Sequence, residues 1–541
     1  MGDAASADAG YWRARAGQAE ARLAAVEREN AALAGQVATL SGQVATLSGL
    51  LFGTSSEKQS RSQAGGDDAE AEGGSRGEAG VGPGRGSARR GQRQGAAGHS
   101  RRDYAHLETE TRIIDLDGDQ RCCEGCGKAF ISSGFEDSEQ LDWQIKVVRI
   151  IWRRLRYQRS CRCAGPATVC APPAPKVIAK GLYTADFLSR VLYFKYVLGL
   201  PVHRIISMLE AEGASVAAGG VTGALKELGV LIRPLGSALA ARLEDTGHVH
   251  ADETRWQVYE HCEGKDGNRW WLWTFLSDEV SVFVIAPTRG IPAAATALGI
   301  DVTADALPDG RRLLISSDFY SVYQSLSGIE GVDALYCWAH IRRYFIRARD
   351  AHPEALAVWA QDWIGRIARL YRTHHALPAT EPGTGEHEQA LARFQLLFDD
   401  LDSLRIAQSE PAEPLHPAAA KVIATLNREW SGLARHRDLP FLPLDDNAAE
   451  RAIRGPVIGR ENFHGSGAVW AATLAADVWT VTATAARHDQ QPLALLTDYL
   501  KACADNDGKA PKDLDPFLPW TPTGRRRRTT TEPAPAPAPD P

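Results

Sequence analysis

The chain begins with apolar residues in steps of three and four. Leu23, Val26, Asn30, Leu33, Val37, Leu40, Val44, Leu47 and Leu51 keep that spacing within residues 11–52, the seam of a coiled coil assigned to residues 1–52. The stretch Gly35-Gln36-Val37-Ala38-Thr39-Leu40-Ser41 repeats at once as residues 42–48. With Leu23 at position a, Asn30 is also an a residue, a polar place that fixes register and strand number at some cost in stability. The pattern predicts a homodimer or higher oligomer; one amphipathic helix folded onto its own body is the alternative.

The rhythm then stops. Residues 53–103 are rich in Gly, Ser, Ala and charge and nearly empty of large apolar side chains, so they predict a flexible linker that cannot bury a core. Its second half carries Arg85, Arg89, Arg90, Arg93, Arg101 and Arg102 without an acidic residue among them, which suits a solvated tether and a phosphate-tracking arm alike.

Residues 104–180 predict a small β module. Its densest run, Ile145 to Tyr157, is β-branched and aromatic, a strand signature. Arg149, Arg153, Arg154 and Arg156 interleave there with Trp152 and Tyr157, a composition for a nucleic-acid backbone or for a charged, protected edge strand. Cys123-x-x-Cys126 precedes the run and Cys161-x-Cys163 follows it. Two close thiol pairs at the ends of a hairpin predict a structural Zn2+ site, with unligated thiols the alternative.

Residues 181–243 are helical in pattern. Leu200 to Leu209, then Gly213 in a turn, then a second helix through Leu225 predict a helix-turn-helix-like DNA-binding region. A plain packing unit stands equally beside it, because Gly219, Gly220 and Gly223 leave few base-reading side chains.

From 244 to 487 the period changes. Val249–Asp252, Trp270–Leu276, Val280–Ile285, Leu313–Ile315 and Ala334–Trp338 predict five strands, with a helix over 291–299. Three close strands, a helix, a strand, a helix and a fifth strand is the order of a ribonuclease-H-like α/β core. A helical insertion of about 346–440 follows, and then a helix holding Glu450 that Gly455-Pro456 should end. Residues 488–520 predict a C-terminal helical element, and 521–541, an arginine run followed by an Ala-Pro repeat, a disordered tail. The fold class expected is thus multidomain α+β.

Composition narrows the partners less than position does. The net charge of −6 in 541 residues does not by itself point to nucleic acid, and the local basic runs carry that signal. No apolar run is long enough to span a bilayer and no secretory leader is evident, so no membrane partner and a cytoplasmic, nucleoid-associated place are expected. Six of nine cysteines fall between 122 and 170, a clustering that favours metal over disulfides.

The candidate chemistry lies in three acidic motifs: His250-Ala251-Asp252-Glu253-Thr254, Ser316-Ser317-Asp318-Phe319-Tyr320 and Asn447-Ala448-Ala449-Glu450-Arg451. Two of the carboxylates belong to strand-like runs and one to a helix. Hard oxygen ligands so placed suit a two-metal Mg2+ site against a phosphodiester. Singly, each has a structural account: Asp252 as a surface charge, Asp318 as a helix cap, Asn447-x-x-Glu450 as a capping box.

Together these stretches resemble the insertion sequence 66 family of transposases. The likeness is carried by Leu51 to Lys58, the cysteine module, Lys195-Tyr196-Val197-Leu198-Gly199-Leu200-Pro201, the His250–Thr254 motif, Cys337 to Phe345, Asn447 to Arg454, and Leu496–Leu500 through Pro516–Trp520. The resemblance implies a DDE transposase that cleaves element ends and joins them to target DNA, with Asp252, Asp318 and Glu450 as the catalytic, Mg2+-holding triad. It further implies supporting roles for His340, Arg342, Arg343, Asn447, Arg451 and Arg454, a DNA contact at Arg460, and accessory proteins of the same element. The chain departs from the family in three places: Phe319 stands where glycine is usual, one zinc half-site is Cys-x-Cys, and the helix-turn-helix is rich in glycine. A nuclease that cuts without joining and a non-catalytic DNA-binding descendant are the rival functions.

Overall fold

The computed structural model describes residues 146–158, 160 and 168–525, with isolated positions between 109 and 140. The chain divides after Phe135, and the architecture below is that of the second unit. The expected coiled coil, the basic linker, Cys123, Cys161, Cys163 and the tail beyond Arg525 lie outside the described residues. Cys126 and Cys170 are described, and both are exposed free thiols.

Two short strands, β1 (Arg156–Gln158) and β2 (Thr168–Cys170), pair antiparallel with Tyr157 opposite Val169. The strand expected over 145–157 is therefore laddered only at its end. Residues 146–155 have no regular structure, and Val148, Ile151, Trp152 and Leu155 stay more than half exposed. A β-branched run becomes strand only where a partner strand and a covered face exist. Arg149, Arg153, Arg154 and Arg156 are exposed alongside, and Arg154 Nε donates to Ala171 O at 2.7 Å.

Helices α1 (Ala185–Leu192), α2 (Val202–Ala211) and α3 (Ala218–Ala241) follow, with Tyr193–Val197 wound as a π turn after α1. Helix α3 does not stop near Leu225. It continues past Pro234 because Val221, Leu225, Leu228, Ile232, Leu235 and Leu239 form one buried stripe, and that burial outweighs the hydrogen bond a mid-helix proline forfeits. Gly213 takes φ +79° in the turn between α2 and α3, a left-handed conformation that favours glycine.

The sheet has five strands: β3 (His248–Gln257), β4 (Arg269–Leu276), β5 (Ser281–Ala286), β6 (Leu313–Ser317) and β7 (Val332–Tyr336). Their order is β5-β4-β3-β6-β7. β3 with β4 and β4 with β5 pair antiparallel, while β6 lies parallel to both β3 and β7. Helix α4 (Ile291–Leu298) leads into β6, and α5 (Ser321–Leu326) joins β6 to β7.

An all-helical excursion leaves the sheet after β7: α6 (Trp338–Ala351), α7 (Pro353–Ala376), α8 (Gly385–Ser409) and α9 (Pro417–Ala434). It has its own core, with Trp338, Phe345, Trp363, Phe394 and Phe398 buried together. It ends where it began, since Trp338 N–H donates to Leu444 O at 2.9 Å.

Helix α10 (Asn447–Phe463) then crosses the sheet, followed by α11 (Val469–Arg487) and α12 (Pro492–Asp505). The sequence expectation that α10 stops at Gly455-Pro456 is corrected: Pro456 lies buried inside it. Contacts beyond the proline hold the helix on. Asn462 Nδ2 donates to Gly199 O at 3.0 Å, and Phe463 packs edge-on against Trp256. At Gly199, φ is +67° and an added Cβ would meet the Gly459 backbone at 3.4 Å, so this close crossing rests on two glycines. Among the described residues no helix is long and apolar enough to cross a membrane.

Candidate active site

Alternation along β3 sends Val249 and Ala251 to one face and His250, Asp252, Thr254 and Trp256 to the other. The second set meets α10 rung by rung. His250 bonds Asp446, just before the helix, and Thr254 Oγ1 accepts from Arg460 Nη1 at 3.1 Å. Trp256 meets Phe463 at the far end. Asp252 sits between the first two rungs. Glu450, in the first turn of α10, is one helical turn beyond Asp446 and so on the same face.

Asp318 enters from the neighbouring strand. In the parallel register of β3 and β6, His250 stands opposite Ser316. Asp252 and Asp318 are each two residues further on, at equivalent levels of adjacent strands. Both are half-buried. Asp252 Oδ1 accepts the backbone N–H of Glu253 at 2.8 Å, and Asp318 Oδ1 that of Tyr320 at 2.9 Å. The N-cap of α10 is Asp446, without a side-chain bond to the helix, and the Glu450 side chain faces His340 and Arg343 instead.

The electrostatics are those of crowded acid. Burial, and then Glu253, Asp318 and Glu450 nearby, push the Asp252 carboxyl up to about 7. Asp446 is raised well above the ordinary range, first by burial and then by Asp252, Asp318 and Glu450. Among the described residues neither Asp252 nor Asp318 has a Lys or Arg in ion-pair contact. The nearest relief is loose: His340 Nε2 lies 3.6 Å and Arg343 Nη2 3.9 Å from Glu450 Oε1.

This donor set fits a divalent cation. Burial and then the neighbouring acids raise Asp252, and a nearby positive charge is what would relieve it. Among the described residues no three His, Cys, Asp or Glu side chains close on a single point as a finished ligand shell. Mg2+ asks for less, since it keeps several waters and takes one or two carboxylates. Asp252, Asp318 and Glu450 are the side chains that could supply them.

The supporting residues separate. His340, in the first turn of α6, has a buried Nδ1 without a hydrogen bond. Burial, then Arg343, lowers its pKa. Phe319 packs its ring 6.3 Å from His340 and 5.5 Å from Tyr336. Arg342, Arg343, Arg451 and Arg454 are exposed, and Asn447 is half-buried. Arg460 is bound to β3 through Thr254 and the Arg255 carbonyl, so here it docks the helix rather than standing free for DNA.

Two groups escaped the sequence reading. Glu253, beside Asp252, points to the other face of β3. There its side chain is 2% exposed, paired with Arg289 and bonded by Tyr323 Oη at 2.8 Å. Arg289 in turn lies 3.8 Å over the Tyr320 ring and 4.7 Å over Trp271. The other group is the His250–Asp446 pair. The acidic run Asp445-Asp446 just ahead of Asn447 was its only local signal. An open groove of about 540 Å3, lined by Glu253, Thr254, Arg255, Trp271, Arg289 and Arg460 among others, flanks β3 just past Asp252.

A family model described as Transposase IS66 family matches residues 180–474, more than half of the chain. The chain belongs to that family. The match spans β3 to β7, the helical excursion and α10, and with them all three acidic motifs. Three similar proteins come from Sinorhizobium fredii. Uncharacterized protein y4qI is 26% identical over 431 residues, covering 77% of this chain and 76% of its own. Uncharacterized protein y4hP is 22% identical over 433 residues, covering 76% and 75%. Uncharacterized protein y4jD is 22% identical over 422 residues, covering 75% and 79%. No solved structure matches the chain.

Proposed function

We propose that this member of the IS66 transposases is a DDE enzyme that cleaves the ends of its element and joins them to target DNA, with Asp252, Asp318 and Glu450 holding Mg2+. One observation carries the reading. Asp252 on β3 and Asp318 just past the end of the adjacent parallel strand have no Lys or Arg in ion-pair contact among the described residues, and Glu450 on α10 has only the loose contacts of His340 and Arg343. The sheet supports it too. Three antiparallel strands followed by two parallel ones, in the order β5-β4-β3-β6-β7, are compatible with the ribonuclease-H-like core expected from the sequence.

Bound divalent cations supply charge neutralisation at phosphorus and acidify an attacking hydroxyl. The chain's own residues do the rest. Asp252 and Asp318 fix the level at which the phosphodiester sits, and Glu450 closes the site from α10. His340 and Arg343, beside Glu450, face the same oxygen and are set to donate to a phosphate there. Arg342, Arg451 and Arg454 add exposed positive charge, and the arginines at 149, 153, 154 and 156 extend it on the β module. In the first step a water oxygen bonds to phosphorus and the 3′ oxygen leaves. In the second, that 3′ hydroxyl bonds to a target phosphorus and the target's own 3′ oxygen leaves. On this reading the N-terminal heptads would pair protomers, and Cys123, Cys126, Cys161 and Cys163 would hold a structural zinc ion.

The test is purified protein with Mg2+ and a labelled duplex carrying its element's ends, beside an Asp318→Asn variant. End-specific nicks and joined products, both lost in the variant, are expected. Nicking without joining would replace the transposase with a nuclease, and binding without metal-dependent cleavage would sink the enzymatic reading.

A further inference from the structure

His250 and Asp446 are buried polar side chains with no part in the chemistry above, yet they meet each other. His250 Nδ1 and Asp446 Oδ1 share a hydrogen bond of 2.8 Å, and the side chains are 11% and 3% exposed. A buried pair of this kind generally contributes less to stability than apolar side chains of the same volume. Space-filling is therefore a poor account of it.

Its location gives a better one. His250 precedes Asp252 by two residues, which keeps both on one face of β3. Asp446 precedes Glu450 by four, which keeps both on one side of α10. The His250–Asp446 bond is thus the rung next to the gap between Asp252 and Glu450. Asp446 is itself fixed, as its N–H donates to Cys337 Sγ at 3.3 Å, and Cys337 N–H donates to Ser317 O at 3.1 Å, beside Asp318. His248, whose ring lies 4.8 Å from that of His250, bonds Ser316 Oγ at 2.8 Å. Both ends of the rung therefore reach back to the strand that carries Asp318.

We propose that the His250–Asp446 pair is a positioning clamp that sets the separation of Asp252 and Glu450, and through it their joint affinity for a divalent cation. The clamp rests on the reading that these carboxylates hold a cation. It differs from a purely electrostatic role for Asp446, in which a fourth negative charge draws the cation in from behind. An amide at 446 separates the two, because it keeps a hydrogen-bonding group for His250 Nδ1, as donor or acceptor, and removes the charge.

The experiment is a Mn2+ titration of the full chain without DNA, read by the loss of the free-ion electron paramagnetic signal. Asp446→Ala and His250→Ala should each weaken Mn2+ binding about tenfold, the range for groups that orient metal ligands. The double variant should be no worse than either single one. Asp446→Asn should stay within about twofold of the parent, and the affinity for end DNA should not move in any variant. Where an alanine leaves a cavity that unfolds the protein, Asp446→Leu fills the space without the bond and should show the same loss. The clamp fails if Asp446→Asn binds as weakly as Asp446→Ala, if His250→Ala binds like the parent, or if the two losses add. A parent chain that takes up no Mn2+ would overturn the cation site itself and the clamp with it; a parent that binds while the variants bind equally well would overturn the clamp alone.

Discussion

The helical excursion and the sheet treat acidic residues in opposite ways. Along α7 to α9 acids are matched by arginines: Arg366 with Asp362 and Asp400, Arg405 with Asp402, Arg437 with Asp399, Arg428 with Glu429. At the sheet, Asp252 and Asp318 have no such partner among the described residues, and Glu450 on α10 has two distant ones. The sheet is able to pair an acid, as Glu253 shows one position away, held by Arg289 and Tyr323. The same strand thus neutralises one carboxylate on one face and leaves its neighbour uncompensated on the other. Unmatched acids in a half-buried setting are what the proposed cation site rests on.

That contrast is broken or sharpened first at the two neighbours on β3. Asp252→Asn should lower end cleavage at least about a thousandfold while the melting temperature holds or rises, because a crowded, half-buried carboxylate has been relieved. Glu253→Gln should do the reverse. Stability should fall by about 2–3 kcal/mol as Arg289 loses its buried partner, read by denaturant melts, with cleavage retained in the molecules that stay folded. Equal effects at both positions would erase the distinction.

A second measurement uses pH at the junction of sheet and excursion. Burial lowers His436 from 6.5 to about 4, and its Nε2–H donates to Tyr336 O at 3.1 Å. Unfolded, this ring takes up its proton near 6.5; folded, it resists until about 4. Its contribution to stability is therefore complete above 6.5 and shrinks as pH falls toward 4, by up to about 1.4 kcal/mol per pH unit. His436→Gln should be less stable than the parent at pH 8 and gain on it through that window. A difference that stays constant with pH would mean the ring is not held neutral.

The smallest effect belongs to the excursion. Asp400→Asn removes one half-exposed partner of Arg366 and should cost under about 1 kcal/mol, with end cleavage unchanged. A larger loss of cleavage would show that the matched charges are not bystanders.

Much of the sheet was legible in the sequence because its signals are local. Trp270 to Leu276 and Val280 to Ile285 read as strands from β-branched and aromatic density, and β4 and β5 occupy nearly those residues. The helix expected over 291–299 is α4. What misled were local stops that distant packing overrides. The second helix was read only through Leu225 and α10 only to Gly455-Pro456, yet α3 and α10 run on, held by buried stripes and by anchors such as Asn462 to Gly199. At the site, motif spacing pointed to the three carboxylates, but His250 and Asp446 lie 196 residues apart and nothing local ties them. The Ile145–Tyr157 run fails for a third reason: a strand needs a partner, and only three residue pairs of that hairpin are laddered.

The bond from Trp338 N–H to Leu444 O has a consequence for how such a chain can change. It brings together the two ends of an excursion running from α6 to α9, so the sheet is presented with a fixed pair of attachment points whatever lies between them. Lengthening, trimming or replacing α7 and α8 need not shift β7 on one side or α10 on the other, provided α9 keeps Gly432 against the Tyr336 ring. The excursion is in that sense an exchangeable cassette: lineages can rewrite what it touches while the register of the sheet is inherited intact.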